Sequence, residues 1–457
     1  MERARMQFLL DWLASDERKP MIIRGARQVG KTWLVRQLAK LSGKMLIEFN
    51  LEKQPETADL FKSNDPSKWL LNVSAVVDQS VKPDETILFL DEIQASPELI
   101  AKLRWFYEDM PELPVVCAGS LLEFVLADHK FSMPVGRINY MHLEPLSFSE
   151  FLVAVGSEEL GEFLYRFDLC SEIPQAIHQR LLERSKEYVI VGGMPAAVSS
   201  WIKTRSLQKV NQSHHELLAT YRDDFAKYRG RIATDRLEET MVSTPRLLGK
   251  KFMYSQVNPS ARSDTIKQAL SLLNRARLCC KVASSSANGV PLGAELKDKY
   301  FKEIFLDVGL CSTVLGLDLN QIQTSEEINL INKGSIAEQV AGQLLRTIFQ
   351  PYIEPTLYCW HRERKGSNAE LDYVIQHRNL VVPVEVKAGS TGGLKSLHLF
   401  MRSKGLRLAV RVNSGLPGVN EVDVTDQTGK RVSYTLLSLP FYLLEQLPRL
   451  IETVLKE

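Results

Sequence analysis

The chain has 457 residues, enough for roughly two to four domains of about 100–200 residues each. Hydrophobic residues make up 44% of it and charged residues 25%, a balance typical of globular proteins rather than disordered or fibrous chains. A net charge of +2 neither favours nor excludes a nucleic-acid partner. The six cysteines include no C-x-x-C pair, and no apolar run is long enough to span a bilayer. We therefore expect a cytoplasmic protein with reduced thiols and no membrane partner.

The first chemical motif is an octet near the N-terminus. Residues 25–32 read Gly-Ala-Arg-Gln-Val-Gly-Lys-Thr and match the phosphate-binding pattern G-x-x-x-x-G-K-[ST] without a mismatch. An apolar run at residues 21–23 precedes the octet, and a helical pattern at residues 33–38 follows it. This strand–loop–helix order is the context that the motif requires. The alternative, a chance glycine loop before a surface helix, is disfavoured by these flanks.

The octet predicts an ATP site in which backbone amides surround the phosphates. Lys31 is expected to reach the β- and γ-phosphates, and the Thr32 hydroxyl is expected to bind Mg²⁺. The amino end of the following helix adds partial positive charge. The predicted nucleotide-binding residues are Gly25, Ala26, Gln28, Val29, Gly30, Lys31, Thr32 and Trp33.

A second motif follows an apolar run at residues 86–90, which is typical of a strand buried in a parallel sheet. The run ends in Asp91 and Glu92. We expect Asp91 to hold Mg²⁺ through water and Glu92 to activate the attacking water as a general base. An ordinary solvated strand end is the alternative, but the phosphate loop upstream favours the catalytic interpretation.

Two further residues are candidates for the same site. Ser120 follows a strand predicted at residues 114–118 and is a candidate sensor of the γ-phosphate; an ordinary turn serine is the alternative. Arg137 is a candidate to stabilise transition-state charge, either in cis or as a finger from a neighbouring subunit. The alternative for Arg137 is a surface arginine.

The pattern between the two ends of the chain predicts three segments. Residues 1–152 form the nucleotide-binding domain, which ends in a helix that Ser147 or Ser149 would cap. Residues 153–235 read as helical and predict a lid over the nucleotide. Residues 236–300 combine helix, turn, helix and strand in the manner of a winged helix, for which DNA reading and mere packing both stay open.

The last constellation is a predicted β-hairpin between residues 370 and 387. Strand alternation places Glu385 and Lys387 on one face, and Asp372 approaches Glu385 across the hairpin. With Glu338 from an upstream helix, these oxygens suit Mg²⁺ or Mn²⁺, and Lys387 is a candidate to orient or deprotonate a water. An ion-paired edge strand with a solvated face is the alternative.

Several short motifs occur in one order along the chain. They are the phosphate loop, Leu-Asp-Glu-Ile-Gln, Gly-Arg, Pro-Leu-Ser-Phe, Gly-Gly-Met-Pro, Phe-Leu-Asp-Val-Gly-Leu, and a closing Glu-Leu-Asp-Tyr with Val-Glu-Val-Lys. This order resembles the prokaryotic AAA-type ATPases that carry a C-terminal DUF4143 domain. The resemblance extends over most of the chain, from about residue 3 to about residue 410.

The resemblance implies an α/β protein with an AAA+ P-loop core, a helical lid, a winged-helix-like segment and a restriction-endonuclease-like PD-(D/E)xK domain at residues 301–457. It places nuclease-superfamily positions on Glu338, Asp372, Glu385 and Lys387. Two functions follow. The first is an ATP-switched enzyme that binds or processes double-stranded DNA. The second is a signalling or scaffold ATPase whose C-terminal domain only binds nucleic acid or protein. The oligomeric state stays open.

Overall fold

The computed structural model of the protein describes residues 1–119, 134–228, 232–317, 334–362, 368–387, 393–425 and 429–456. Within these ranges the strands form a five-stranded parallel sheet in the N-terminal part and an eight-stranded mixed sheet in the C-terminal part. The predicted α/β class is confirmed. No helix in the described part of the chain combines the length and apolar character needed to cross a membrane.

The first sheet has the strand order β2-β3-β4-β1-β5. Its strands are β1 (Met21–Arg24), β2 (Met45–Asn50), β3 (Thr86–Asp91), β4 (Val115–Ala118) and β5 (Asn139–His142). Alternating residues of β1 enter different apolar clusters, since Met21 and Ile23 pack on one side of the sheet and Ile22 on the other. The sheet is therefore covered on both faces, as its continuous apolar runs predict.

In the described part of this domain, the helices that accompany the sheet are α1 (Arg5–Ala14), α2 (Lys31–Ser42), α3 (Pro66–Val77) and α4 (Pro97–Asp109). A helical segment follows, with α5 (Phe148–Ala154), α6 (Glu158–Arg166), α7 (Gln175–Val191), α8 (Pro195–Thr204) and α9 (Leu207–Asp224). Ser147 caps α5, because its hydroxyl accepts from the amide of Glu150 at 3.3 Å and the Glu150 carboxylate accepts from the amide of Ser147 at 3.0 Å. This reciprocal capping box fixes where the helical segment begins.

The next helices are α10 (Thr234–Arg246), α11 (Tyr254–Val257) and α12 (Ser263–Arg275). They lead into β6 (Cys279–Ser285) and β7 (Leu296–Phe305), which pair antiparallel. β6 also pairs with a strand of the C-terminal region, so the hairpin belongs to the second sheet. The predicted boundary between residues 300 and 301 falls inside β7, so the winged-helix-like segment and the C-terminal domain share one sheet.

The second sheet has the order β12-β13-β11-β10-β9-β8-β6-β7. Its remaining strands are β8 (Leu357–Arg362), β9 (Ala369–His377), β10 (Leu380–Val386), β11 (Leu408–Asn413), β12 (Gly418–Thr425) and β13 (Arg431–Pro440). The accompanying helices are α13 (Val308–Val314), α14 (Ser335–Thr347), α15 (Lys395–Lys404) and α16 (Leu447–Val454). The predicted hairpin is present as β9 and β10, with Val384 opposite Tyr373.

Three of the sequence motifs meet at one buried carboxylate. Asp307 caps α13, and its Oδ2 accepts from the amide of Gly193 at 2.6 Å. The carbonyl of Gly193 in turn accepts from the amide of Leu146 at 2.7 Å. A Cβ on Gly193 would lie 2.2 Å from the carbonyl oxygen of Leu146, so this approach needs a glycine. The junction ties the nucleotide domain to the second sheet.

Candidate functional site

The phosphate loop connects β1 to α2, as predicted. Gly30 has a φ of 98°, a conformation that glycine adopts without strain. A Cβ on Gly25 would lie 2.4 Å from the carbonyl oxygen of Leu143, so the loop passes this backbone at a distance that excludes any larger residue. Both glycines of the motif therefore have a structural requirement, one for dihedral freedom and one for close approach.

Lys31 is folded back onto the loop that precedes it. Its Nζ donates to the carbonyl oxygens of Gly25 at 3.0 Å and Ala26 at 2.8 Å, and the residue is buried. Burial lowers the pKa of Lys31 to about 8, although Glu92 and Asp91 act in the opposite direction. The two carbonyl oxygens that accept from Lys31 are neutral. The anionic oxygens of a phosphate chain are stronger acceptors for an ammonium.

Thr32 and Asp91 come together from two elements. The Thr32 hydroxyl, in the first turn of α2, donates to Oδ2 of Asp91, the last residue of β3, at 2.9 Å. Burial raises the pKa of the Asp91 carboxyl. A hydroxyl and a carboxylate are hard oxygen ligands that suit Mg²⁺, and the charge of the ion would favour the ionised carboxylate. The donor set therefore fits the predicted metal.

Glu92 stands in a left-handed backbone conformation with a φ of 53°, which is uncommon for a residue other than glycine. The conformation turns the chain out of β3 directly after the sheet edge. The Gln94 side-chain amide donates to Oε2 of Glu92 at 2.5 Å and orients its carboxylate. Strained backbone of this kind is concentrated at functional sites. Gln94 belongs to the Leu-Asp-Glu-Ile-Gln motif, but its contact with Glu92 was not predicted.

Of the remaining predicted residues, Arg137 is placed away from the phosphate loop and Trp33 has an exposed side chain. Ser120 lies outside the described residues. Arg137 precedes β5, whose first residue pairs with Met21 at the amino end of β1, and the phosphate loop leaves the opposite end. Arg137 forms an ion pair with Glu108 of α4. The side chain of Trp33 lies on α2 and is 38% exposed. A role for Arg137 in trans stays a prediction.

Residues that are distant from the phosphate loop in the sequence form hydrogen bonds with it. The guanidinium of Arg3 donates to the carbonyl of Val29 at 2.8 Å. Arg27 donates to both carboxylate oxygens of Asp224, each at 2.8 Å, and the Tyr221 hydroxyl donates to the carbonyl of Arg27 at 3.0 Å. Sequence reasoning missed these residues because no local pattern marks them.

The predicted C-terminal carboxylates also converge. Oδ2 of Asp372 on β9 accepts from the amide of Val386 at 2.8 Å, directly beside Glu385 on β10. Oε1 of Glu385 accepts from Nζ of Lys387 at 2.6 Å. Oε2 of Glu385 is buried and has no hydrogen-bond partner in the described part of the chain. Burial, together with the charge of Asp372, raises the pKa of Glu385 to about 7.

The centre of this cluster is occupied by a lysine that the sequence did not predict. Lys302 of β7 is 3% exposed. Its Nζ lies 3.0 Å from Oε2 of Glu338 and 3.4 Å from Oδ1 of Asp372, and it also pairs with Glu370. Burial alone would lower the pKa of Lys302, but the three carboxylates outweigh it and raise the pKa well above its ordinary value. Burial and Asp372 raise the pKa of Glu338 to about 8.

The carboxylate cluster as it stands does not fit a divalent cation. The Lys302 ammonium balances the charge that Mg²⁺ or Mn²⁺ would balance, and it contacts two of the three predicted ligands, Glu338 and Asp372. Among the described residues, no group of three or more histidine, cysteine, aspartate or glutamate side chains is arranged to hold a metal. A signal for Lys302 was present in the sequence, since two charges interrupt the apolar run at residues 300–305.

Comparison with family models assigns the two ends of the chain. Residues 17–152 match a model described as an AAA domain. Residues 333–432 match a domain of unknown function, DUF4143, and residues 182–321 match another, DUF8612. The fold and the N-terminal site thus define a P-loop ATPase of the AAA type. More particularly, the chain carries an AAA domain at residues 17–152 and a DUF4143 domain at residues 333–432, in the order that the motifs predicted. The restriction-endonuclease-like description of that domain stays a prediction.

Solved structures give distant likenesses to other P-loop proteins. The Walker-type ATPase PABY2304 of Pyrococcus abyssi is 14% identical, with a TM-score of 0.43 over 69% of this chain and 95% of that one. The ORC2 protein of Aeropyrum pernix is 12% identical, with a TM-score of 0.34 over 71% and 96% of the two chains. The RuvB Holliday junction branch migration motor of Thermotoga maritima is 14% identical, with a TM-score of 0.29 over 61% and 89%. No curated protein matches.

Proposed function

We propose that this protein binds ATP with Mg²⁺ and hydrolyses it. We further propose that turnover changes the contacts between the phosphate loop and the helical segment α5 to α9. The observation that carries this proposal is the convergence of α2 and β3. Lys31 and Thr32 are the first residues of α2, and Asp91 is the last residue of β3. The Thr32 hydroxyl lies 2.9 Å from Oδ2 of Asp91. In open α/β sheets ligands bind at the carboxyl ends of strands, which is where these residues lie.

Each residue has a task in this proposal. The Lys31 ammonium replaces its hydrogen bonds to the loop carbonyls with hydrogen bonds to the β- and γ-phosphates. Thr32 and Asp91 are the residues that would hold Mg²⁺, which supplies neutralisation of phosphate charge. Glu92, oriented by Gln94, takes a proton from the attacking water. The backbone amides of the loop stabilise the charge that develops on the phosphate.

The contacts of the loop support a switch. Asp224 and Tyr221 of α9 form hydrogen bonds with Arg27 in the phosphate loop. A rearrangement of the loop around phosphate would therefore change the position of this helix. Further along α9, the ring nitrogens of the buried His214 contact the carbonyl of Val191 at 2.9 Å and the hydroxyl of Thr313 in α13 at 2.8 Å. One helix therefore touches both the phosphate loop and the element that opens the second half of the molecule. A hinge of this type can transmit nucleotide state.

A comparison of ATP turnover in matched variants tests the proposal. Lys31→Ala should abolish turnover, whereas Lys40→Ala, which removes an exposed ammonium from the same helix, should leave it unchanged. The assay is run with and without double-stranded DNA, because stimulation by DNA would support the DNA-dependent form of the proposal. Turnover that is equal in the two variants would contradict it.

The C-terminal domain has two candidate roles, DNA processing and binding alone. The position of Lys302 favours binding alone. A cluster neutralised by a buried ammonium is suited to stabilise a binding domain rather than to cut phosphodiesters. In this role the domain binds nucleic acid or protein under control of the ATPase. Plasmid nicking with Mg²⁺ or Mn²⁺ separates the candidates. Cleavage abolished by Asp372→Ala and by Lys387→Ala would support DNA processing, and inert wild-type protein at high concentration would support binding alone.

A metal titration sharpens this test. In Lys302→Met the carboxylates of Glu338 and Asp372 lose their ammonium, and we expect the variant to acquire affinity for Mn²⁺ that the wild-type cluster lacks. The titration uses protein that also carries Thr32→Ala, which removes one of the two side chains expected to hold metal in the N-terminal site. Tight Mn²⁺ binding to the cluster while Lys302 is intact would contradict the binding-only role.

A further inference from the structure

A cavity of about 450 Å³ lies beside the nucleotide domain, distinct from the phosphate loop. Most of its lining comes from α12 and the β6–β7 hairpin, and the last residue of β1, Arg24, also lines it. None of residues 25–32 lines it. The volume falls in the range of sites for small molecules.

The walls of this cavity carry an excess of positive charge. The lining cations are Arg24, Lys267, Arg275, Arg277 and Lys281. Lys267, Arg275 and Lys281 are exposed, whereas Arg277 is buried and donates to the Glu354 carboxylate at 2.9 Å. Glu303 and Glu354 are the acidic residues of the lining. A concave surface with this balance concentrates anions.

Two buried oxygens of the lining have no hydrogen-bond partner in the described part of the chain. Glu303 is 1% exposed, and its Oε1 accepts from Nδ2 of Asn274 at 3.1 Å. Oε2 of Glu303 and Oδ1 of Asn274 are the unpartnered atoms. A buried polar atom without a partner destabilises the fold, so these two atoms point to a ligand that hydrogen-bonds here. Burial raises the pKa of Glu303 to about 8, so near neutral pH its carboxyl can donate as well as accept.

Aromatic rings complete the lining. Tyr254 and Phe301 both face the cavity, with their ring centroids 6.1 Å apart. Nζ of Lys281 lies 5.0 Å from the centroid of Phe301. A flat heterocycle bound here can contact an aromatic face while its charged substituent reaches the lysine.

We propose that this cavity binds a phosphorylated purine nucleoside, with its phosphate at the exposed cations and the edge of its base at Asn274 and Glu303. The class of ligand follows from what the lining requires: negative charge, a planar ring, and an edge that offers both donors and acceptors. Inorganic phosphate meets the first requirement alone. A nucleic-acid backbone crossing the rim would leave the two buried oxygens unpartnered. The site is independent of the proposed ATPase activity.

Calorimetric titration of the full chain with AMP, GMP and inorganic phosphate tests this assignment. The protein carries Lys31→Ala, so that uptake at the phosphate loop is suppressed. We expect at least one purine monophosphate to bind roughly tenfold more tightly than inorganic phosphate, a difference of about 1.4 kcal/mol, because its base adds hydrogen bonds to Asn274 and Glu303 that phosphate alone cannot form. Adding Lys267→Ala and Arg275→Ala should weaken that nucleotide by roughly tenfold. Arg262→Ala, which removes an exposed cation that precedes α12 and does not line the cavity, should leave the affinity unchanged.

A second variant separates the base from the phosphate. Glu303→Leu keeps the approximate size of the side chain but removes both hydrogen-bonding oxygens, so purine affinity should fall while weak binding of inorganic phosphate is retained. The proposal is overturned if neither purine monophosphate binds, or if inorganic phosphate binds equally well. It is also overturned if a DNA duplex binds through Lys267 and Arg275 with no effect of Glu303→Leu, because the cavity is then part of a nucleic-acid surface.

Discussion

Two buried lysines, one in each half of the molecule, show how the partners of a charge decide what a site can do. Lys31 lies against the neutral carbonyls of Gly25 and Ala26, and burial lowers its pKa to about 8. Lys302 lies among carboxylates that raise its pKa well above the ordinary value. The Lys31 ammonium has no ionised hydrogen-bond partner in the loop, so a bound phosphate would give it a stronger electrostatic interaction than the carbonyls do. The Lys302 ammonium is already neutralised, so an incoming phosphate or metal would have to displace an existing partner.

The largest effect is expected at the first lysine. Lys31→Ala should lower ATP turnover by on the order of 10³-fold, because it removes the one side-chain cation that the motif aims at the phosphates. Thermal unfolding should change little, since the carbonyls released by the substitution lie in a loop. A steady-state ATPase assay measures the first quantity. Activity within a few-fold of wild type would remove Lys31 from the mechanism.

The second lysine should affect stability instead. Lys302→Met leaves the partly buried carboxylates of Glu338 and Asp372 without their buried ammonium, which should destabilise the fold by about 3–5 kcal/mol. Lys299→Met, at an exposed position of the same strand, is the matched control and should have little effect. Denaturant titration followed by circular dichroism compares the two. Equal stability would show that the cluster is not held together by Lys302.

Part of this contrast was predictable from the sequence and part was not. The octet containing Lys31 is local, because strand, loop and helix are consecutive, and the expected elements appear as β1 and α2. Glu385 and Lys387 were likewise placed on one face by alternation along a single strand. Lys302 was not predicted because its partners Glu338 and Asp372 lie 36 and 70 residues further along the chain, and only the tertiary fold brings β7, α14 and β9 together. Arg3 and Asp224 escaped for the same reason.

Glu92→Gln separates binding from chemistry at the first site. The amide cannot accept a proton, so we expect hydrolysis to slow by roughly 10²-fold while nucleotide affinity is retained. Single-turnover hydrolysis and equilibrium binding of a fluorescent ATP analogue measure the two quantities on one preparation. If turnover persists at the wild-type rate, another group is the base.

The second site should give a pH dependence of stability. Folding raises the pKa of Glu338 from 4.5 to about 8 and that of Glu385 from 4.5 to about 7. The folded state then binds more protons than the unfolded state, so the stability contributed by these groups is complete below about pH 4.5 and is lost as the pH rises toward 8. The slope is at most about 1.4 kcal/mol per pH unit for each group.

Unfolding midpoints measured from pH 5 to pH 8 test this slope. Glu338→Gln should flatten the profile, because the amide has no proton to lose. Glu421→Gln, at an exposed position of β12, should leave it unchanged. Stability from the cluster that rises with pH over this window would be the wrong sign.

The smallest effect is expected at the link between the phosphate loop and α9. Asp224→Asn keeps the size of the side chain but removes its charge, which weakens the contact to Arg27. We expect turnover to change by a few-fold, in the range of about 1 kcal/mol for a partly exposed pair. Protection of α9 from hydrogen exchange should become insensitive to ATP. Retained sensitivity would mean that coupling does not pass through this contact.

The most direct test of the account is a calorimetric titration of ATP with Mg²⁺ into folded wild-type protein and into its Lys31→Ala and Lys40→Ala variants. The account predicts saturable uptake by the wild type and by Lys40→Ala, and loss of that uptake in Lys31→Ala. Absence of uptake by the wild type, or equal uptake by all three proteins, would contradict it.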